Sequence, residues 1–228
     1  MQSRGRFLSF EGLDGSGKST LIQNVKAALE KRGVKVRVTR EPGGTPLAED
    51  IRHLILRKPD QTAQPGRTVQ MDAPVAATEI LLYEASRAQH VAQVIRPALE
   101  RGEWVLCDRF SESTVAFQCF ARGLDRGEVD RLNRFAEQGV RPELVVLLDL
   151  TVEVSRRRQS GRASHDASSA PDRIESEADD FHERVRQGFL AQVAEEPARW
   201  VKLDADSAPG ELLEGTMAEL IRRDWLRA

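Results

Sequence analysis

The chain is 228 residues long, with 34 Lys and Arg against 36 Asp and Glu and a formal net charge of −2, a balance that excludes a global pull toward nucleic acid or an anionic membrane and makes any anion site local. No apolar stretch approaches the roughly 20 residues that span a bilayer. Met1 to Arg6 is short and polar, leaving no room for a signal peptide, and the two cysteines, Cys107 and Cys119, lack metal-ligand spacing, so the expectation is a cytoplasmic protein with reduced thiols, built as one domain over 1–228.

Apolar runs and amphipathic stretches alternate along the chain. Arg6–Glu11 reads as a strand, Lys18–Arg32 as a helix ending before Gly33, and Val34–Thr39 as the next strand, which together make a βαβ unit. Pro46–Leu56 follows as a helix whose apolar face is Leu47, Ile51, Leu54 and Ile55, with Arg52 projecting away from it. Lys58–Pro74, with Pro59, Pro65, Gly66 and Pro74 among polar residues, reads as a loop. Val75–Glu100 is a long helix with an expected core stripe of Leu81, Ala85, Ala88, Ala92, Ile95 and Leu99. Trp104–Asp108 and Leu144–Leu150 are near-continuous apolar runs suited to strands covered on both faces, and Trp200–Leu203 is a shorter one. Helices over Ser111–Ala121, Gly127–Gln138, Val152–Arg158, Glu177–Ala194 and Pro209–Leu226 fill the intervals. The fold class is therefore α/β, with a five-stranded, mainly parallel open sheet flanked by helices. Gln159–Asp172 is small and polar and reads as a mobile flap, giving a lid over about 156–174.

Three constellations carry chemistry. Gly12-Leu13-Asp14-Gly15-Ser16-Gly17-Lys18-Ser19-Thr20 completes G-x-x-x-x-G-K-[ST] directly after the first strand. In such a cradle the glycines let backbone N–H groups turn inward around a triphosphate, the lysine meets the β/γ oxygens and the serine hydroxyl joins the Mg²⁺ shell. Asp108 and Arg109 end a buried strand, where open α/β sheets bind ligands; Asp108 can serve the metal and Arg109 can clamp phosphoryl oxygens, or Asp108 can cap the next helix with Arg109 paired to it. Tyr83, the only tyrosine, and Arg87 stand i and i+4 off the expected core stripe. They can stack on a planar ligand and bond its edge, or Tyr83 can pack locally with Arg87 paired to Glu84. Arg40 and Arg52 are placed to face the same sheet edge, Arg52 being equally readable as solvent-exposed. Histidines 53, 90, 165 and 182 receive no role.

Taken together, the cradle, Arg40-Glu41-Pro42-Gly43-Gly44-Thr45, Tyr83-x-x-x-Arg87, Asp108-Arg109-Phe110, Ser113-Thr114-x-Ala116-Phe117-Gln118 and Asp172-Arg173-Ile174-Glu175 closely resemble bacterial thymidylate kinase, in order and spacing over nearly the whole chain. The resemblance implies transfer of the γ-phosphoryl of ATP to dTMP, giving dTDP and ADP, with Mg²⁺, by a homodimer. It makes Asp14 a ligand near the nucleotide sugar and metal, and Arg52 and Arg109 binders of the acceptor phosphate. Tyr83 would stack on thymine, Arg87 and Thr114 would read the base edge, and Glu41, Ser113, Phe117 and Gln118 would line the same acceptor site. Because the cradle residue after Asp14 is Gly15, the arginine that neutralises the transferring group falls to the lid: Arg157, Arg158 or Arg162. Rival readings are a P-loop kinase for another nucleoside or monophosphate, and an ATP-driven switch.

Overall fold

A computed structural model describes residues 5–58, 72–165 and 171–227, the side chains of 162–165 excepted. Most of the 58–74 loop, residues 166–170 of the expected flap and the Arg162 side chain lie outside the described residues. Five strands, β1 (Phe7–Glu11), β2 (Val36–Arg40), β3 (Trp104–Asp108), β4 (Leu144–Asp149) and β5 (Trp200–Asp204), form one sheet in the order β2-β3-β1-β4-β5. All four pairings are parallel. The continuous apolar runs occupy the centre: β1 is buried throughout, and β3 and β4 are buried up to their last residue. The edge strands β2 and β5 carry the mixed sequences, as a strand with one face near solvent requires.

Helix α1 (Lys18–Glu30) sets Leu21, Ile22, Val25 and Leu29 against Leu8, Phe10, Leu106 and Val146 on one face of the sheet, and α9 (Pro209–Arg222) extends that layer. On the other face α8 (Asp179–Glu195) brings Phe181, Val185 and Phe189 to Val145 and Leu147. Between α1 and α8 the chain forms α2 (Pro46–Leu56), α3 (Ala76–His90), α4 (Arg96–Glu100), α5 (Ser111–Thr114), α6 (Arg126–Glu137) and α7 (Val152–His165).

Three expectations about the helices are corrected. The 75–100 helix is interrupted by a π-helical turn at Val91–Ile95, so that α3 and α4 are out of phase. Ile95 and Leu99 do reach the core with Phe7 and Val105, but Leu81 is 57% exposed and Ala85 and Ala92 face outward. The buried face of α3 is instead Glu79, Ile80, Glu84, Ser86, Arg87 and His90. A polar face is stable there because its charges are paired, and it fronts a cavity. On α2, likewise, Leu47 and Leu54 are exposed while Ala48, Ile51 and Ile55 are buried. The third correction is α7, which runs on through His165 where a flap was expected from Gln159. Gln159 Nε2 donates to Ser155 Oγ at 2.9 Å and to Asp14 O at 3.3 Å, and Ser160 Oγ donates back to Arg156 O at 2.9 Å. These bonds satisfy the polar side chains on a helix and tie it to the first βα turn.

Candidate active site

The carboxyl ends of β1, β2 and β3 open onto one edge, where parallel sheets bind ligands. At the end of β1 the chain turns through Gly12, Gly15 and Gly17, with φ of 133°, 81° and 95°. A side chain at Gly12 would collide with the carbonyl of Leu148, and only glycine adopts these angles without strain. Lys18 opens α1 from inside this turn, and its Nζ donates to Gly12 O and Leu13 O, both at 3.0 Å. Burial, with Arg109 beside it, lowers the Lys18 pKa. Asp14 lies 4.0 Å from that ammonium. Burial alone would raise its carboxyl, yet Arg109, at 2.7 Å, and Lys18 hold it well below the ordinary range. Ser19 Oγ donates to Asp108 Oδ2 at 3.2 Å, so the two residues assigned to Mg²⁺ stand together.

Asp108 does not cap the following helix and Arg109 does not pair with it. Glu11 performs the first task, accepting Phe110 N–H at 2.8 Å and the Ser113 hydroxyl at 2.6 Å. Arg109, in the left-handed region at φ 68°, donates to Asp14 and, at 3.2 Å, to Ser113 Oγ. Sequence reasoning passed over Glu11, although a carboxylate closing a buried apolar strand was a signal. It is fully buried, and burial, with Glu112 beside it, pushes its pKa from 4.5 up to about 8. Between those values the folded state binds more protons than the unfolded chain. The stabilisation is therefore complete below about pH 4.5 and lost as pH rises through about 8, at up to about 1.4 kcal/mol per unit. Glu11→Gln removes this titration, so its stability relative to the unmodified protein should rise by a few kcal/mol from pH 5 to 8. Thermal unfolding of both proteins across that range checks it; a constant difference would contradict the assignment.

Beside the cradle lies a cavity lined by Glu41, Arg52, Tyr83, Arg87, Arg109, Ser113, Thr114, Phe117 and Gln118, together with Asp14. Every residue assigned from sequence to the acceptor site is in that set. Pro42, Leu56, Phe110, Asp172, Ile174 and Glu175 also line it, so the segment after the expected flap forms part of the wall. Arg40 does not line it; half-exposed, it pairs with Glu49 at 2.8 Å.

Arg87 is 2% exposed and holds the cavity floor together. Its Nε donates to Glu41 Oε2 at 2.8 Å, Nη1 to Glu84 Oε1 at 2.7 Å and Asn133 Oδ1 at 2.8 Å, and Nη2 to Thr114 Oγ1 at 2.9 Å. The pairing with Glu84 and the position in the cavity are thus both realised. His90 Nδ1 meets the other Glu41 oxygen at 2.9 Å, a structural role for one of the four histidines. Gln118, fully buried, donates from Nε2 to Glu79 Oε1 at 2.7 Å, while its Oε1 has no partner among the described residues. Burial and the nearby Glu79 raise the Tyr83 phenol, keeping it neutral.

On the opposite side of the cradle, Ser16, Gly17, Thr20, Leu21 and Asn24 face Arg158, Ala205, Ser207 and Leu212 across a groove. Arg158 is anchored there, donating to Ala205 O at 3.0 Å and Asp206 Oδ1 at 2.8 Å. Arg157 is exposed, and Arg156 fastens α7 to Asp179 and to the carbonyls of Glu175 and Glu177.

A phosphate cradle on the first strand of a parallel sheet, facing a second cavity that carries its own arginines, defines a P-loop kinase, an enzyme with two phosphorylated substrates to align. Within that class the chain belongs to the thymidylate kinase family, whose model matches residues 10–214. It is 50% identical to a thymidylate kinase of Bdellovibrio bacteriovorus over 98% of this chain and 99% of that protein. Proteins of the same name from Trichlorobacter lovleyi and Geobacter sulfurreducens are 42% and 45% identical, over 95% and 89% of this chain and 97% and 90% of theirs. No helix among the described residues is long and apolar enough to cross a membrane.

Proposed function

We infer that the chain transfers the γ-phosphoryl group of ATP to dTMP, giving dTDP and ADP, and that the cavity beside the cradle takes the dTMP. One observation carries the choice of base. Glu79, which also accepts from Arg122 and Arg173, leaves Gln118 only one orientation, amide nitrogen toward the carboxylate and Oε1 free for the ligand. Arg87 spends four of its five N–H groups on protein partners, leaving one on Nη2. An acceptor beside a donor matches N3–H and O4 of thymine and opposes N3 and the N4 amino group of cytosine. Tyr83 supplies the stacking face, and Arg52 and Arg109 bind the acceptor phosphate.

The cradle residues Gly12 to Thr20 hold the ATP phosphates with Lys18, and the groove toward Arg158 takes the nucleoside half. Ser19 and Asp108 offer hard oxygen ligands, and no group of three or more His, Cys, Asp or Glu that could hold a metal stands among the described residues. That sparse set suits Mg²⁺, which keeps waters and phosphate oxygens in its shell; bound there, it would neutralise charge on the transferring phosphoryl. The protein's task is alignment. The cradle fixes the donor, the cavity fixes the acceptor, and Arg109, held on Asp14, stands between them. Arg157, Arg158 and Arg162 remain the lid residues proposed to complete charge neutralisation; Arg158 would have to leave Asp206 to do so.

The same reading extends to one cytoplasmic domain, with the lid over about 156–174, acting as a homodimer. Supporting the dimer, Leu47 and Leu54 of α2, Leu81 of α3 and Val75 just before α3 are large apolar side chains left exposed on or beside adjacent helices. The test is ADP release with dTMP and dCMP as acceptors. With two mismatched contacts at about tenfold each, kcat/KM for dTMP should exceed that for dCMP by about a hundredfold. Equal use of the two would overturn the reading.

A further inference from the structure

Glu79 lies on α3 one turn before Tyr83 and two before Arg87, on the face that fronts the acceptor cavity, yet it does not line the cavity itself. It is 1% exposed, and its neighbours are all donors. Oε1 accepts from Gln118 Nε2 at 2.7 Å and Arg122 Nε at 3.4 Å, and Oε2 accepts from Arg173 Nη2. Arg173 belongs to the segment that returns from the lid region, and it is pinned independently: its Nε donates to Ile55 O at 2.9 Å and its backbone N–H to Leu56 O at 3.1 Å. Arg122 is pinned by Glu177 at 2.6 Å. The carboxylate is thus held from two sides by guanidinium groups whose own positions are fixed.

We propose that Glu79 is a positioning residue that determines base specificity, by locking the amide of Gln118 with its oxygen toward the acceptor base. An amide presents a donor or an acceptor by a half-turn about its last bond, and the two orientations differ little in shape. Nothing in the side chain of Gln118 chooses between them. Glu79 does, because its carboxylate offers only acceptors, both oxygens face guanidinium donors, and an amide oxygen turned toward it would meet a negative charge. Thymine is selected at N3 by a residue that does not touch it. The lid-return segment shares in this control, since Arg173 anchors the carboxylate that anchors the amide.

The proposal rests on the dTMP reading above, and its test separates the two. Glu79→Gln is nearly isosteric. Arg173, with Arg122 Nη2 at 3.5 Å from the same oxygen, would hold the new amide oxygen at the Oε2 position and turn its NH2 toward Gln118, which must then reverse and present its own NH2 to the base. The ratio of kcat/KM for dTMP over dCMP should fall at least about tenfold. The loss should appear mainly as a raised KM for dTMP, with dCMP holding or gaining. A parallel fall for both substrates, or an unchanged ratio in a folded variant, overturns the proposal. Failure of the unmodified enzyme to phosphorylate dTMP would instead overturn the functional reading. Should Glu79→Gln not fold, the unmodified enzyme still decides: with 15N-glutamine labelling, the Gln118 side-chain protons should keep the Glu79-bonded resonance downfield as dTMP saturates the site. A reversal in which that proton loses its shift on dTMP binding would refute the lock.

Discussion

Lys18→Met should yield a folded protein in which phosphoryl transfer to dTMP falls by about a thousandfold or more. The structure explains why the loss is confined to activity. The Lys18 ammonium is almost fully buried; it donates to two carbonyls of the cradle and lies 4.0 Å from Asp14, whose carboxylate keeps Arg109 at 2.7 Å when the lysine is replaced. Burial lowers its pKa, so the charge costs the fold energy that methionine would not. Methionine fills much of the same volume without a charge to desolvate. Thermal unfolding should therefore show a melting temperature equal to or above that of the unmodified protein, beside a kcat reduced to near background. Turnover within tenfold of normal would remove the lysine, and with it the cradle, from the reaction.

Much of the site was legible in the sequence because the chemistry is local. The cradle is a contiguous nonapeptide, and its glycines take the positive φ angles that the motif demands. Tyr83 and Arg87 share one face of one helix, and all nine residues assigned to the acceptor site line one cavity. The central strands were legible because burial on both faces leaves an unbroken apolar run. What was not legible depends on distant partners. The stripe Leu81, Ala85 and Ala92 has helical period, but period alone does not say whether it faces the core or the outside. Here the buried face is polar, made stable by Arg87, Glu41, Glu84 and Asn133 meeting from three separate segments. The π-helical turn at Val91–Ile95 shifts the phase of the stripe, and no local composition marks it. The extension of α7 to His165 rests on Gln159 reaching the cradle, a contact between residues 145 apart in sequence. Glu79 escaped notice for a related reason. It continues the Tyr83 and Arg87 face by one turn, but its role exists only once Gln118 and Arg173 converge on it.

Arg87→Ala should cost about 3–5 kcal/mol of stability, a melting-temperature decrease on the order of 10 °C for a chain of this size. The side chain is 2% exposed and donates to two carboxylates, Glu41 and Glu84, that are themselves 5% exposed. Removing it leaves both charges in a site that water does not reach freely. His90 still meets Glu41, but Glu84 already has one oxygen without a partner among the described residues and loses the Arg87 bond of the other. The sign of the pH dependence follows. Burial already raises the Glu84 pKa with the arginine present, and without it the carboxyl titrates higher still. Protonation then relieves the variant more than the unmodified protein, so the deficit should narrow from pH 8 toward pH 5. Urea unfolding at both pH values measures this; a deficit below about 1 kcal/mol, or one that widens on acidification, would show that the cluster does not hold the cavity floor. The same architecture decides how base choice must be probed. An arginine that supports the fold through four bonds cannot report cleanly on the fifth, because its removal disturbs the cavity for every substrate. Gln118 and Glu79 can, since the orientation of one amide changes the reading of the base while the pairs of Arg87 with Glu41 and Glu84 stay in place.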